Sequence, residues 1–495
     1  MRLHVLLAAL VVAPVSLFAQ TPESIAEAVA SITEDDIRSR IGVIAHDSML
    51  GRYTPSPGLE MTAQYIAAQF ESFGLRPGGD DGGYIQRYPL VRERLNAEAS
   101  VVEVDGGPTW RFGADVVGGG SQGTVSGSAI LLNPAADMSQ IAPGELDGRI
   151  VFMLGPIRNR EAYSQLRRHS PAAMITVQEF PDVLWQRLRT NQSTPTERVG
   201  ESRRGGAALR VQEATAAPLL ARHGIDLAAI RSGQNLPALT RLEGLRLTIS
   251  IELEQVEEVG VPNVVGILEG SDPVMRNEYL VYSAHMDHSG VTSRPVNGDS
   301  ILNGADDDAS GTIGIVELAQ AFAMLEPKPK RSIIFVTVSG EERGLWGSGY
   351  FAANPPVPVE QMVANLNADM IGRNWPDTIV VIGKEHSDLG ATLNRVNEEH
   401  PELNMTAIDD LWPEENFYGR SDHIHFARRG VPILFFFNGT HEDYHQPSDE
   451  IEKIDAEKEA RIVKLMFYLG IDILNADERP QWNPESYERI VTDAP

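Results

Sequence analysis

From about residue 261 the chain alternates apolar, strand-like runs with helical stretches. The strand-like runs NVVGILEG, EYLVYSA, RSIIFVTVS and ANLNADM follow one another, and the helical run SGTIGIVELAQAFAML separates the second from the third. Apolar strands that alternate with helices predict an α/β fold with a mainly parallel mixed sheet flanked by helices. Such sheets bind ligands beyond the carboxyl ends of their strands, so residues at these ends are candidates for a functional site.

The remaining segments differ in texture from this region. Residues 1–19 combine a basic Arg2, an apolar stretch and a small residue before Gln20, which predicts a secretory signal cleaved after Ala19. An uncleaved anchor is the alternative. Residues 22–76 look helical, and residues from about 98 to 255 carry short β-like runs separated by Gly, Pro and Asp. The predicted segments are a signal peptide (1–19), the first part of the main domain (20–97), an inserted β-rich domain (98–255), the main domain proper (256–476) and a C-terminal tail (477–495).

Composition excludes several classes of partner and chemistry. The formal charge of −27 argues against a nucleic-acid partner, because phosphate backbones require patches of Lys and Arg. The chain has no cysteine, which excludes disulfides, thiol nucleophiles and sulfur-ligated zinc. No run after residue 19 approaches the length of a membrane span, so none is predicted in the mature chain. We expect an exported protein, periplasmic or extracellular.

Five short acidic and histidine motifs lie in the C-terminal half. They read AHMD (284–287), GADDDASG (304–311), SGEERG (339–344), NAD (367–369) and YHQPSD (444–449). Each alone also fits a structural histidine, a solvated helix cap or an exposed turn. Together they supply the imidazole and carboxylate ligands that suit Zn²⁺. A pair of such ions can share one activated water, so the set predicts a two-metal hydrolase.

The residue types suggest individual roles. On a strand, Asp287 would share a face with His285 and could hold its tautomer. Adjacent Glu341 and Glu342 could act as base and ligand from one loop, and Tyr444 offers a phenol to a developing oxyanion. Other histidines are interpreted as surface or supporting groups: His288, His423, His425 and His441.

With these motifs the chain resembles the M28 family of zinc aminopeptidases over roughly 25–95 and 256–475. The segment GELDGRIVFMLGP makes the insert resemble a protease-associated (PA) domain. The resemblance implies two Zn²⁺ per chain and a cis peptide bond after the bridging aspartate, at Asp307–Asp308. The implied metal ligands are His285 and Asp369 for one zinc, Glu342 and His445 for the other, and Asp307 bridging both. The implied catalytic residues are Glu341 as general base, Asp287 as orienting acid and Tyr444 as oxyanion donor.

These interpretations agree on an exported di-zinc exopeptidase that removes N-terminal amino acids from peptides. A zinc-activated water would be the nucleophile and Glu341 the general base. The same site acting as a carboxypeptidase, a dipeptidase or an N-acyl amino acid amidohydrolase is the nearest alternative. A binding scaffold without catalysis is a further one. The sequence does not predict the preferred first residue or the oligomeric state.

Overall fold

The computed structural model describes residues 20–135, 141–156, 166, 169–200, 206–233 and 235–492. The predicted signal peptide at 1–19 lies outside the described residues. The chain forms two compact units. A main unit contains residues up to Tyr88 and from Gly260 onward, and an inserted unit contains Pro89–Val259.

The α-helices are numbered in chain order. They are α1 (Pro22–Ala30), α2 (Glu34–Ile44), α3 (Pro57–Ser72), α4 (Asp182–Asn191), α5 (Glu213–Ala221), α6 (Leu227–Arg231), α7 (Gly311–Met324), α8 (Trp346–Ala353), α9 (Leu389–Glu399), α10 (His423–Ala427), α11 (Ala456–Asn475) and α12 (Pro484–Tyr487). Each of these described helices is too short or too polar to cross a lipid bilayer.

The strands are numbered in the same way. Those that begin before Gly260 are β1 (Arg76–Pro77), β2 (Ile85–Leu95), β3 (Val101–Val104), β4 (Thr109–Arg111), β5 (Val116–Gly119), β6 (Gly123–Leu132), β7 (Ile150–Leu154), β8 (Ala173–Gln178), β9 (Thr196–Val199), β10 (Ala207–Gln212), β11 (Leu239–Ile251) and β12 (Leu253–Leu268). The later ones are β13 (Tyr279–His285), β14 (Gly290–Val296), β15 (Asp299–Leu302), β16 (Ser332–Val338), β17 (Met362–Ala368), β18 (Thr378–Ile382), β19 (Thr406–Ile408) and β20 (Ile433–Phe436).

A mixed sheet forms the centre of the main unit, with strand order β19-β18-β20-β17-β13-β16-β12. Its middle is parallel: β13 pairs in parallel with β16 and β17, and β17 pairs in parallel with β20. Antiparallel pairs flank this middle, between β18 and β20 and between β12 and β16. The predicted α/β fold with a mainly parallel mixed sheet is confirmed.

Burial explains why these segments read as continuous apolar runs. Every residue of β16, β17 and β20 is buried, as expected for parallel strands covered on both faces. Helix α7 is buried over most of its length and contacts β13, β16 and β17. Long α11 then packs on α7 and α2. The parallel pairing of these strands places their carboxyl ends at one edge of the sheet.

The helices before the sheet begin at the caps that the sequence indicates. Thr33 accepts a hydrogen bond from the backbone N–H of Asp36 at 3.1 Å and starts α2. Ser56 caps α3, which begins at Pro57 and is followed by Gly74 at φ +77°.

The inserted unit contains a second mixed sheet, with strand order β4-β3-β11-β6-β7-β8-β10-β5. Strands β6, β7, β8 and β10 pair in parallel, and the remaining pairs are antiparallel. Its core includes Val102, Phe152, Leu209 and Ile249, all buried. The similarity of this unit to a PA domain stays a prediction.

Candidate metal centre

Three neighbouring parallel strands end at one edge of the main sheet, and a predicted site residue lies at or just after each end. β13 ends at His285, β16 ends just before Glu341, and β17 ends at Ala368, next to Asp369. Because β13 pairs in parallel with both other strands, these ends lie side by side. Residues distant in the sequence therefore meet at one place, as expected for such a sheet.

The segment between β15 and α7 turns sharply, so that adjacent aspartates face different partners. Asp307 (φ −104°, ψ 95°) and Asp308 (φ −124°, ψ 50°) leave helical geometry, and the peptide bond between them is cis, as expected. The Asp308 carboxylate accepts backbone N–H groups of His285 (3.1 Å), Gly311 (2.9 Å) and Met370 (3.1 Å). Asp308 thus ties three segments together, and Asp307 is left to face the site.

The first set of converging donor atoms, the His285 group, consists of His285, Asp307 and Asp369, which are all buried. His285 Nε2 lies 3.4 Å from Asp307 Oδ1 and 3.6 Å from Asp369 Oδ1. Ser421 Oγ donates to Asp369 Oδ2 at 2.9 Å and fixes its orientation. Three protein ligands with one open position are typical of catalytic zinc sites.

The second set, the Glu342 group, consists of Glu342, Asp307, His445 and His288. His445 Nε2 lies 3.1 Å from Asp307 Oδ2 and 3.2 Å from Glu342 Oε1. His288 Nδ1 lies 2.8 Å from the same Glu342 oxygen and 3.6 Å from Asp307 Oδ2. Asp307 belongs to both groups through its two oxygens, which is the position that the resemblance gave it. The sequence interpretation of His288 as a surface or supporting group missed this placement.

The donor atoms of the Glu342 group fit a metal ion. Asp307 Oδ2, Glu342 Oε1 and His288 Nδ1 are buried, and among the described residues none of them has a hydrogen-bond partner. Buried polar atoms without partners are costly, and three that converge on one point need a shared cation. Imidazole nitrogen and carboxylate oxygen are ligands that Zn²⁺ accepts.

The acids and histidines of the Glu342 group shift one another's pKa values. Burial would lower the pKa of His445, but the facing Asp307 and Glu342 outweigh it and raise that pKa to about 10. Burial would raise the pKa of Glu342, but contacts with His288 and His445 lower it to about 2. Zinc binding requires neutral imidazole and ionised carboxylate, so an ion would displace the proton of His445, whereas Glu342 is already ionised at neutral pH.

Glu341 lies beside both groups without belonging to either. Its backbone N–H donates to Asp287 Oδ1 at 3.2 Å, and its side chain lines the pocket above the donor atoms. Burial raises the pKa of Glu341 well above its usual range, and the nearby acids Asp422, Asp369 and Asp307 add to this rise. A carboxylate with a raised pKa beside a metal site is suited to accept a proton.

The predicted pairing of Asp287 with His285 takes a different form in the structure. His285 Nδ1 lies 3.1 Å from the backbone carbonyl oxygen of Asp287, whereas the nearest carboxylate oxygen is 3.7 Å away. The strand ends at His285, so the alternation that the prediction assumed does not reach residue 287. The Asp287 carboxylate instead accepts hydrogen bonds from Thr54 Oγ1 (2.9 Å) and Glu341 N–H.

Tyr444 lines the pocket and stacks on the His445 ring, with ring centroids 3.9 Å apart. Burial and the surrounding acids, Asp307 first among them, raise its pKa, so the phenol keeps its proton and can donate. The pocket as a whole holds about 410 Å³ of empty space, including space open to solvent, and has an aromatic wall that the sequence analysis did not identify. The residues of this wall are Phe417, Phe435 and Phe437.

Arg52 was also missed by the sequence analysis. It is fully buried and donates its guanidinium hydrogens to the carbonyls of Met286 (2.9 Å), Ile44 (3.0 Å), Asn303 (2.6 Å) and Gly304 (2.9 Å). The carbonyls of Asn303 and Gly304 precede the turn at 306–308, called the aspartate turn below. The Met286 carbonyl lies between His285 and His288. Arg52 therefore holds the loops that present the donor atoms. A lone basic residue in a turn gives no sequence signal for such a role.

Two further residues support the aspartate turn. Asp449, at the end of the YHQPSD motif, accepts the backbone N–H groups of Asp306 (3.1 Å) and Asp307 (3.2 Å). His441 Nε2 lies 3.1 Å from Asp306 Oδ2, which agrees with a supporting role. His423 is buried against Phe435 with ring centroids 4.4 Å apart, outside both donor groups. Burial lowers the pKa of His425 to about 4, with Arg428 and Arg429 adding to the effect, and it too lies outside both groups.

Comparison with known proteins identifies one family for the region that holds these residues. Residues 263–470 match the family model described as Peptidase family M28. A probable zinc metalloprotease of Leptosphaeria maculans is 29% identical over 249 residues, which are 42% of this chain and 56% of that protein. A probable zinc metalloprotease of Pyrenophora teres is 30% identical over 252 residues, 42% of this chain and 50% of that protein. The chain thus spans about half the length of the curated relatives that it matches.

Among solved structures, an aminopeptidase from Aneurinibacillus sp. strain AM-1 is similar. The alignment covers 92% of this chain and 97% of that one, with 17% identity and a TM-score of 0.49.

Proposed function

Residues 263–470 belong to peptidase family M28, and on that premise we propose that the chain is a zinc-dependent aminopeptidase. It would remove the first amino acid of peptides by hydrolysis. The observation that carries the proposal is the pair of donor groups that share Asp307, one oxygen in each. A carboxylate with one oxygen in each group can hold two ions at the separation of about 3.5–4 Å that two-metal sites have.

The chain's own residues have separable roles in this proposal. A zinc pair, when bound, supplies a water that is acidic enough to attack at neutral pH. Glu341 accepts the proton of that water and passes it to the leaving amine. The Tyr444 hydroxyl donates a hydrogen bond to the oxygen of the tetrahedral intermediate. Asp287 holds the Glu341 backbone, and its own carbonyl fixes the His285 ring.

The charge of the pocket favours an N-terminal substrate end. Of its four carboxylates, Asp307, Glu342 and Asp369 are assigned to zinc, which offsets their charge, and Glu341 is left over. An ionised Glu341 attracts a protonated α-amine and repels an α-carboxylate. Arg420 also lines the pocket, with its guanidinium 4.7 Å from the Phe417 ring centroid. This cation is the observation that favours the alternative function, a carboxypeptidase whose Arg420 binds the C-terminal carboxylate.

The proposal is tested with one short peptide prepared in four forms. Its N-terminus is free or acetylated, its C-terminus is free or amidated, and its first residue is apolar to suit the aromatic wall. We expect the zinc-loaded protein to release the first residue whenever the amine is free, whatever the state of the C-terminus. Release of the last residue from the acetylated peptide would identify a carboxypeptidase. Cleavage of only a dipeptide or an N-acyl amino acid would assign those amidase activities. Intact peptides throughout would leave a binding scaffold.

We also propose that the protein is exported to the periplasm or the extracellular space, with the signal at 1–19 removed. The support is the sequence pattern of those residues. Mass spectrometry of the protein recovered from its producing cell tests this proposal. A mature chain that starts at Gln20 in the exported fraction is the expected result, and an intact N-terminus on a cytoplasmic protein contradicts it.

A further inference from the structure

We propose that His288 is a fourth protein ligand in the Glu342 group, so that this group is closed by protein while the His285 group stays open. The inference rests on the proposed two-zinc function and assigns a new residue to that site. It predicts an order of loading, in which the first ion occupies the Glu342 group and the second occupies the His285 group.

The first argument is geometric. Zinc bonds to imidazole and carboxylate of about 2.0–2.1 Å imply separations of roughly 3.3 Å between donor atoms of a tetrahedral site. The recorded separations within the Glu342 group are 2.8, 3.1, 3.2 and 3.6 Å, and two of them involve His288 Nδ1. The distances from His288 Nδ1 to the other donor atoms are therefore those of a metal ligand and not those of a residue that only supports a ligand.

The second argument is the environment of the His288 ring. The side chain is fully buried, and neither ring nitrogen has a hydrogen-bond partner among the described residues. Its Nδ1 lies 2.8 Å from Glu342 Oε1 in an orientation that makes no hydrogen bond. An ion between these atoms would satisfy both of them.

The third argument is how the chain holds the ring in place. The His288 backbone N–H donates to the Arg52 carbonyl at 3.3 Å. Gly304 (φ +55°) lies against the ring, and a Cβ there would come within 2.6 Å of two His288 ring atoms. The ring also contacts His445 edge to face, with centroids 5.5 Å apart. These contacts restrain the rotation of the ring away from the donor atoms.

The count of donors then separates the two groups. Four protein ligands are typical of closed structural zinc sites, and three with an open position are typical of catalytic sites. The Glu342 group has four, from Glu342, Asp307, His445 and His288, and the His285 group has three. The closed group is expected to bind its ion more tightly.

The absence of cysteine in the chain allows a direct test. In the full-length His288→Cys variant loaded with Co²⁺, a thiolate at position 288 would give a sulfur-to-cobalt charge-transfer band in the near ultraviolet. The longer metal–sulfur bond, about 2.3 Å, offsets the shorter side chain. His386→Cys is the matched control, because His386 is a buried histidine of the same unit that contacts Ser486. We expect the band in the first variant and none in the control or the wild type.

Stepwise metal affinity gives a second readout that does not depend on activity. Competition with a chromophoric chelator should show two ions per wild-type chain. His288→Ala should weaken the tighter step by more than about 100-fold, because even residues that only orient ligands cost about 10–100-fold. His386→Ala should change neither step.

The outcomes distinguish the inference from the function on which it rests. Two bound ions with unchanged affinities in His288→Ala and no band in His288→Cys would overturn the ligand assignment and leave the two-zinc proposal standing. A wild-type chain that binds a single ion with an affinity independent of residue 288 would overturn both.

Discussion

In the part of the chain that the structure describes, two sheets contain parallel strands, and the residues that follow these strands differ in kind between the two sheets. In the main unit the central strands lead into His285, Glu341 and Asp369. Near them lie buried polar atoms of Asp307, Glu342 and His288 that have no hydrogen-bond partner among the described residues. In the inserted unit, the strands β8 and β10 lead into polar residues that already have local partners or solvent.

The inserted unit shows how such polar ends are satisfied without a ligand. The Gln212 side chain exchanges two hydrogen bonds with the backbone of Phe180, at 2.9 and 3.1 Å. Glu213 pairs with Arg231 at 2.6 Å, and the Glu179 side chain is 82% exposed. A parallel sheet therefore provides an edge where a site can form, but the residues at that edge decide whether one does.

Replacing the carboxylate that both donor groups share should have the largest effect on the difference between the two units. Asp307→Asn removes a charge from both donor groups, so we expect loss of both metal ions and of detectable peptidase activity. Glu179→Gln, at a strand end of the inserted unit, is the control and should keep both. Metal content by mass spectrometry and peptide hydrolysis are the measurements. An Asp307→Asn protein that still binds two ions contradicts the bridging assignment.

Glu341→Gln should separate chemistry from metal binding. The amide cannot accept a proton, so we expect kcat to fall by about 10²–10⁴-fold with metal content unchanged. Steady-state kinetics on a metal-quantified sample measure both quantities. Turnover near the wild-type value would remove Glu341 from the mechanism.

Tyr444→Phe keeps the aromatic contact with His445 and removes only the phenolic hydroxyl. Loss of one oxyanion donor typically lowers kcat by about 10²–10³-fold, and KM should change little. Tyr84→Phe is the control, since its hydroxyl donates to the Leu75 carbonyl at 2.6 Å, outside the pocket. A larger change in KM than in kcat would assign Tyr444 to ground-state binding instead.

Metal loading should stabilise the two units unequally. At an ion concentration 100 times Kd the free energy of unfolding rises by about 2.7 kcal/mol, or roughly 100-fold in the exchange of globally protected amides. We expect this protection in β13 and α7 of the main unit and not in β8 of the inserted unit. Hydrogen exchange with and without a chelator measures it. Equal protection of β8 would show that the two units unfold together.

The smallest effect is expected at Thr54, which donates to Asp287 and accepts the Gly340 N–H at 3.1 Å. Thr54→Val keeps the shape and removes both hydrogen bonds, so we expect about a 10-fold loss of kcat/KM. Thr248→Val, whose hydroxyl pairs with Ser126 at 2.8 Å in the inserted sheet, should have no effect on activity. An unchanged kcat/KM in the first variant would show that Asp287 needs no orientation from Thr54.

The sequence predicted the main fold and the meeting of three site residues at one sheet edge for one physical reason. His285, Glu341 and Asp369 end apolar strands, and parallel strands bring such ends together whatever the loops do. Glu342 and His445 lie in the adjacent loop and turn, where motif and resemblance sufficed to suggest them. Their roles as ligands and base stay predictions for the experiments above.

The residues whose roles the sequence did not reveal are positioned by turns and by contacts with backbone groups. His288 faces the donor atoms because the chain leaves the strand at His285 and turns around the Arg52 carbonyl, which no periodicity describes. For the same reason the Asp287 carboxylate lies 3.7 Å from the ring that it was expected to orient. The contacts of Arg52 and Asp449 are to backbone groups, and side-chain patterns carry no information about them.

The buried guanidinium of Arg52 has a consequence for how the protein folds. Burial lowers its pKa, and the surrounding acids, Asp307 and Asp287 first among them, oppose that shift. A fixed cation therefore accompanies the acidic loops in the metal-free protein and partly offsets their mutual repulsion. Its hydrogen bonds to Gly304 and Met286 also hold the loop backbone without help from an ion. The loops that carry the donor atoms can thus form before any ion binds.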